Sequence, residues 1–438
     1  MNRKTLIGLS CAAALSALSL PLMAQTIAIT GGKLAIGDGS EPIDNGTVVI
    51  INGKVAAAGA NVAIPAGAQR IDASGKWITP GIMSGFSRIG LVEVDAVDET
   101  EDSDSPKSPF SAAIDVATAI NPEANPIAIN RTSGITRAVV VPTAGGNIFA
   151  GQGAVIDLGA DMDAVTKAQA FQYVELGESG AAKAGGSRAA AQLLFRSLLG
   201  EAQDYARNPA SYDGRSKDSL LLRADAKALV PVIQGKVPLL VHVERSADIL
   251  SVIALRTEFP TLKLILVGAS EGWRVAPQIA AAKIPVITAG LTDLPASFEK
   301  LAATQSNVGR MVAAGVLVAL GMTEGNDATQ LRWALQQAGN MVALQKIPGA
   351  TGLSWGQALR AITSAPAEAI GMGDRLGSLK AGHVGDVVIW DGDPLELTSA
   401  PTAVFIDGQQ QPLDNRQLRL RDRYATPAPG ELPKAYQH

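Results

Sequence analysis

Between residues 135 and 320, runs of β-branched and aliphatic residues alternate with Ala-rich helical stretches, and this alternation constrains the fold more than any other feature. Ile135–Pro142, Leu239–Val243, Leu262–Val267, Ile284–Thr288 and Val316–Leu320 carry few polar side chains. A strand apolar on both faces is covered on both, as in a parallel sheet flanked by helices. Arg188–Leu199, Ala276–Ala282 and Ala328–Leu344 read as the helices. A strand–helix alternation that occupies the middle of the chain, roughly 77–375, favours a closed (β/α)8 barrel over an open sheet.

The flanking segments read differently. Thr26–Thr30, Thr47–Ile51, Lys54–Ala58 and Ala68–Ile71 are strand-like, and Asn52-Gly53 between two of them is a hairpin signal. Asp386–Trp390 and Ala403–Asp407 are strand-like near the other end. Two β-rich pieces around one α/β region predict a composite β-sandwich formed by both ends of the mature chain. The expected division begins with a signal segment 1–24 and an N-terminal sandwich segment 25–78. An α/β TIM-like barrel 79–375, a C-terminal sandwich segment 376–415 and a tail 416–438 follow. Pro427, Pro429 and Pro433 favour an extended course for the last residues.

Arg3 and Lys4 precede the apolar run Leu6–Leu20, and Pro21-Leu22-Met23-Ala24 precedes a plausible cut before Gln25. This is the pattern of a secretory signal, so the expected location is the periplasm, with no membrane anchor left after cleavage. A retained anchor is the other reading, but the run is short and Pro21 breaks it. Cleavage removes two positive charges from a chain of net charge −4, together with Cys11, the single cysteine. The mature chain then has neither disulfides nor thiolate chemistry. Mild acidity and an aromatic content of only 4% argue against nucleic-acid binding.

Several local patterns occur in a telling order. Asn45-Gly46-Thr47-Val48-Val49-Ile50 and Gly53-Lys54-Val55-Ala56-Ala57-Ala58-Gly59 come first, then Ile71-Asp72-Ala73-Ser74-Gly75-Lys76 leading into Thr79-Pro80-Gly81. Ile120-Asn121-Pro122 and Gly151-Gln152-Gly153-Ala154-Val155-Ile156 follow. Thr363-Ser364-Ala365-Pro366-Ala367, Gly377-Ser378-Leu379-Lys380-Ala381-Gly382 and Asp386-Val387-Val388-Ile389-Trp390 complete the series. Over nearly all the mature chain this order resembles the amidohydrolase superfamily, and within it the secreted, imidazolonepropionase-like branch. The resemblance implies metal-assisted hydrolysis of amide or cyclic C–N bonds. One or two metals at the C-terminal mouth of the barrel would activate water, and an Asp ending the eighth strand would move protons.

The residues that should carry this chemistry are altered. Where the resemblance implies His-x-His on the first strand, the chain has Phe86 and Arg88. Phenyl cannot ligate a metal, and a guanidinium repels one. The fourth strand, near Phe171 to Gly177, offers no bridging Lys. His242 stands where a metal-ligating His belongs, but Glu244 follows where a second His is often found. Gly268 replaces the next His, Trp273 another, and the catalytic Asp position falls on Met322 or Thr323. The chain holds three His in all, His242, His383 and His438, and a catalytic zinc needs about three protein ligands. No cofactor is therefore expected. Zinc or another divalent metal returns only if Glu244, Glu271, Glu324 and Asp327 help His242 to form a divergent site.

Two readings lead, and a transport-associated binding protein unrelated to hydrolysis is a third. In one, the chain is a non-catalytic homologue, acting as a homo-oligomer or as the partner of an active relative, or binding a small molecule. In the other, it is an active hydrolase working through His242 and Glu244. His242 is either a relic held by a neighbour or a general base or donor. Arg88 either plugs the old metal position by pairing with Glu244 or grips a ligand carboxylate, with Glu271 a further ligand-binding candidate. Phe86 and Trp273 fill vacated space. The loop Glu93 to Asp104, with seven acidic residues, is a solvated loop or a lid. Gly268-Ala269-Ser270-Glu271-Gly272 fits a nucleophile-elbow pattern, but no barrel His follows it. Gly145-Gly146-Asn147 and Gly151-Gln152-Gly153 read as tight turns.

Overall fold

Asn52 (φ 51°) and Gly53 (φ 75°) both take left-handed conformations, as a two-residue hairpin turn of matching twist requires. They join β2 (Ile43–Ile51) to β3 (Lys54–Gly59) in a computed structural model that describes residues 26–212, 218–323 and 325–425. The expected signal segment, Glu324, His438 and the proline-rich end lie outside the described residues.

β1 (Thr26–Leu34) pairs with β2 on one side. On the other it pairs in parallel with β4 (Gln69–Asp72) and, further along, with β5 (Trp77–Pro80). The far end of the chain completes this sheet with three more strands. They are numbered after the barrel strands as β14 (Val387–Trp390), β15 (Pro401–Ile406) and β16 (Gln409–Gln410). β14 lies antiparallel to β5, with Val388 opposite Thr79, and the Trp390 indole N–H donates to Thr79 Oγ1 at 2.9 Å. Both ends of the chain thus form one branched eight-stranded sheet closed over Ile27, Ile29, Val48, Ile50, Ile389 and Phe405.

The second sheet is the barrel. Its strands are β6 (Ile82–Ser87), β7 (Ile135–Val140), β8 (Phe149–Asp157), β9 (Val165–Glu175), β10 (Leu239–Val243), β11 (Leu264–Gly268), β12 (Val286–Thr288) and β13 (Val318–Leu320). They neighbour one another in chain order, and the Met322 N–H donates to the Phe86 carbonyl at 3.0 Å where the last meets the first. Met83, Phe86, Val139, Phe171, Tyr173, Leu240, Val267 and Ile287 fill the lumen.

The repeat is not uniform. β8 runs antiparallel to both β7 and β9, so this stretch of the wall is a meander without intervening helices. Gly151-Gln152-Gly153, read from the sequence as a tight turn, lies inside β8. A Cβ on Gly153 would stand 2.0 Å from the Phe171 ring, so the glycine is there for close packing and not for a bend.

Helices α1 (Asn125–Arg131), α2 (Glu178–Lys183), α3 (Arg188–Arg207), α4 (Arg223–Ile233), α5 (Ser246–Glu258), α6 (Ala276–Ala282) and α7 (Asn307–Ala313) fall between barrel strands. α8 (Trp333–Ala343), α9 (Trp355–Ala361) and α10 (Ser364–Ala369) follow the last strand. α8 starts later than the predicted Ala328, because a 3-10 turn at Gly325–Thr329 presents the Ala328 carbonyl to the Arg88 N–H (2.9 Å). The tail is not wholly extended either. Asn415 caps α11 (Arg416–Tyr424), accepting from the Leu418 N–H at 3.0 Å. Among the described residues no helix is long and apolar enough to cross a membrane.

One ion cluster fastens the barrel to the sheet. Arg137, on β7 and 3% exposed, meets Asp386 (2.7 Å), Asp407 (2.7 Å) and Asp157 (3.7 Å).

Candidate functional site at the barrel mouth

Register alone brings the first two polar groups together. β9 and β10 are parallel, with Glu175 opposite His242 at their C-terminal ends. Tyr173 and Leu240 face the lumen, and residues two further along a strand point the same way, so Glu175 and His242 rise at the rim. Glu244 follows His242 by two residues and turns back over it.

These side chains form a continuous chain of hydrogen bonds. The Tyr173 hydroxyl donates to Glu175 Oε1 (2.8 Å), and Glu175 Oε2 meets His242 Nδ1 at 2.6 Å. His242 Nε2 lies 3.1 Å from Glu244 Oε1, and Glu244 Oε2 accepts from the Ser270 N–H (2.8 Å) and Oγ (2.7 Å). Lys300 Nζ reaches the same Glu244 carboxylate at 3.4 Å from the segment after β12.

Burial alone would lower the His242 pKa, but Glu175 and Glu244 outweigh it and hold the ring well above the usual range, as an imidazolium. Burial pushes the Glu244 carboxyl up, yet His242, Lys300 and Ser270 bring it down to about 2. Glu175 is lowered in the same way, against its burial, chiefly by His242. Burial and Glu175 raise the Tyr173 phenol.

The residues singled out in the sequence fall into distinct places. Phe86 is a lumen side chain, edge-on to Tyr173 with ring centroids 5.9 Å apart. Gly268 has φ +85°, and a Cβ there would stand 2.5 Å from Glu244 Oε1. The Glu244 carboxylate thus occupies the space a side chain at 268 would need. Glu271 is 3% exposed and engaged by the Ser246 N–H, the Ser246 hydroxyl and the Ala302 N–H, each at 3.0 Å. It holds the start of α5 and the 289–306 segment. Trp273 anchors that segment too, through its indole N–H to the Ala302 carbonyl (2.8 Å). Ser270 is 2% exposed and donates to Glu244, which separates it from the His242 imidazole. His383 lies in the sheet domain against Ser378 Oγ (3.1 Å), and its carbonyl accepts from Val55. Met322 is buried, and Thr323 Oγ1 is buried with no hydrogen-bond partner. Asp327 sits in the 3-10 turn beyond them. Six carboxylates of the 93–104 loop are exposed, while Ser103 is buried and accepts from the Thr143 N–H at 2.7 Å.

The expected Arg88–Glu244 ion pair is not present. Glu244 is taken by His242, Lys300 and Ser270, and the buried Arg88 Nε has no acceptor. The acceptors of Glu244 are already filled, by the Lys300 ammonium among others, while the charge of Arg88 acts to lower the pKa of both Tyr173 and Glu175. Arg88→Met is therefore expected to leave the unfolding midpoint unchanged or slightly higher. Combined with Glu244→Gln it should show no coupling. A double-mutant cycle in denaturant checks this, and coupling above about 1 kcal/mol would contradict it.

Tyr173, Glu175, Ser270 and Lys300 were not foreseen as members of one network. Glu175 had a signal, since it ends the fourth strand where a bridging Lys was sought. Lys300 had none: it lies in an irregular segment with no fixed spacing to the strands.

Among the described residues no three His, Cys, Asp or Glu side chains converge as a metal-holding group. Residues 268–413 match the model of the amidohydrolase family. A stretch of 60 residues is 52% identical to amidohydrolase tasK of Hapsidospora irregularis, covering 14% of this chain and 6% of that protein. The chain thus spans a small fraction of that relative. The solved amidohydrolase of Thermotoga maritima MSB8 is 25% identical, with a TM-score of 0.76 over 88% of this chain and 99% of that one. Molinate hydrolase shares the fold at 18% identity and a TM-score of 0.51, over 95% and 99% of the two chains. Residues 268–413 thus resemble the amidohydrolase family, and the barrel-and-sheet fold of the chain is that of the solved Thermotoga maritima amidohydrolase.

Proposed function

We propose that this chain is a non-catalytic member of the imidazolonepropionase-like branch, in which a fixed ion network stands in for the catalytic metal. The observation that carries this is the clamp on His242: both ring nitrogens are engaged by carboxylates, at 2.6 and 3.1 Å. A zinc ligand must present a free nitrogen lone pair, and a catalytic zinc takes about three protein ligands. An imidazolium presents none. Glu244, the next nearest donor, already faces the Lys300 ammonium and Ser270. Phe86, Arg88 and the glycine at 268 add no ligand, so the residues present do not fit the ion.

The same clamp weighs against a hydrolase working through His242 and carboxylates. A general base must be unprotonated at the working pH, and this imidazole is held protonated. The reading we favour is an exported protein that acts beside an intact relative bearing both first-strand histidines, or as a homo-oligomer.

The purified full-length chain is expected to carry no stoichiometric zinc. Chelator treatment should leave its thermal midpoint unchanged, because no ligand linkage is lost. Elemental analysis and paired melting curves check both. Stoichiometric metal, or a fall of several degrees after chelation, would overturn the proposal.

A further inference from the structure

Among the described residues of the hydrogen-bonded network, Glu175 and Glu244 are matched by His242 and Lys300, and the guanidinium of half-buried Arg88 is a third cation beside them. Glu299 does not serve it, being turned toward Arg188 (3.3 Å) and the Glu178 N–H (2.7 Å). No carboxylate of the described residues pairs with Arg88, and its Nε is buried without an acceptor. A half-buried guanidinium whose Nε has no acceptor keeps part of its donor fork free for an anion.

A second donor stands nearby. Thr323 Oγ1 is also buried and unpartnered. The segments bearing the two residues run side by side, since Met322 donates to the Phe86 carbonyl and Arg88 to the Ala328 carbonyl. Two orphaned polar groups on adjacent strand ends, one of them a planar fork of N–H donors, suit a planar two-oxygen acceptor.

We infer that the barrel mouth is an anion site, in which Arg88 and Thr323 receive the carboxylate of a small-molecule ligand. This rests on the metal-free reading above, because a divalent cation beside Arg88 would itself attract the anion.

The test is calorimetric titration of the full chain with N-acetylglycine and with N-acetylglycinamide, which differ in the carboxylate alone. Inorganic phosphate serves as a third probe. N-acetylglycine should bind and the amide should not. Arg88→Met should abolish binding. Arg88→Lys and Thr323→Val should each weaken it roughly tenfold, the effect of losing one hydrogen bond to a charged group. Equal binding of acid and amide, no binding of either, or undiminished binding by Arg88→Met overturns the inference. Phosphate binding more tightly than N-acetylglycine overturns the assignment to a carboxylate. Zinc found in a protein whose N-acetylglycine binding still depends on Arg88 would instead sink the metal-free reading and leave the anion site standing.

Discussion

His242→Ala is expected to lower the stability of the folded chain by about 3–5 kcal/mol, the cost of stranding buried charges by removing their partner. His242 sits between two carboxylates that are almost out of solvent, with Glu244 only 1% exposed. Without the imidazolium, Glu175 keeps the Tyr173 hydroxyl and Glu244 keeps Lys300 and Ser270, but two like charges then face one cavity. Neutralising both, as in His242→Ala with Glu175→Gln and Glu244→Gln, should recover some of the loss. The pH profile carries a second signature. A His whose folded pKa is raised contributes fully below its unfolded value near 6.5 and loses that contribution as pH climbs through the folded value. Glu244, lowered from 4.5 to about 2, contributes above 4.5 and loses its share as pH falls toward 2. The network is thus worth most between about 4.5 and 6.5. His242→Ala should remove the decline on the alkaline side. Denaturant midpoints for both proteins across pH decide it: a loss below about 1 kcal/mol at pH 6 would end the clamp model.

Arg137→Met should be of similar size, about 3–5 kcal/mol, for a different reason. Its guanidinium bonds Asp386 through Nε at 2.7 Å and Nη2 at 3.2 Å, and Asp407 at 2.7 Å, so one barrel side chain holds two residues of the sheet domain. Asp386 also accepts from the Asp407 N–H at 2.9 Å, which ties the turn after β15 into the same cluster. Removing the cation leaves Asp386, 6% exposed, without a counter-ion. Arg137→Lys should fall between, since an ammonium cannot reproduce the fork. Asp157 is the weak member: burial pushes its carboxyl up to about 6 despite Arg137. Asp157→Asn should therefore be close to neutral at pH 7, while Arg137→Met is not. An unchanged midpoint for Arg137→Met would show that other contacts hold the domains together.

The barrel and the two-ended sheet were legible because each rests on a periodic pattern. Doubly apolar strands such as Leu239–Val243 are buried wherever the sheet goes, and Asn52-Gly53 dictates its own turn. The direction of β8 was not legible. Its residues Gly151 to Ile156 suit either orientation, and only the packing of Phe171 onto Gly153 shows why glycines recur there. That Phe86, Arg88 and Gly268 stand where the resemblance implies imidazoles could be read from the sequence. The network beside them could not, because Glu175, Glu244 and Lys300 meet through register and loop path, neither of which leaves a spacing in the chain. Arg88 shows the limit most plainly. Charge complementarity with Glu244 was sound chemistry, but Lys300 reaches that carboxylate first.

The pairing of β5 with β14 also governs how the molecule must be made. The Thr79–Trp390 bond joins residues 311 apart, so the sheet cannot be completed until almost the whole chain has been synthesised. Until then the hairpin of β2 and β3 can form, but β5 keeps an unsatisfied edge, and an open apolar strand edge is where chains stick to one another. The barrel must assemble while tethered to this half-built platform, with its long-range closures arriving late. A chain truncated before β14 would therefore expose the β5 edge permanently and aggregate, instead of yielding a free barrel.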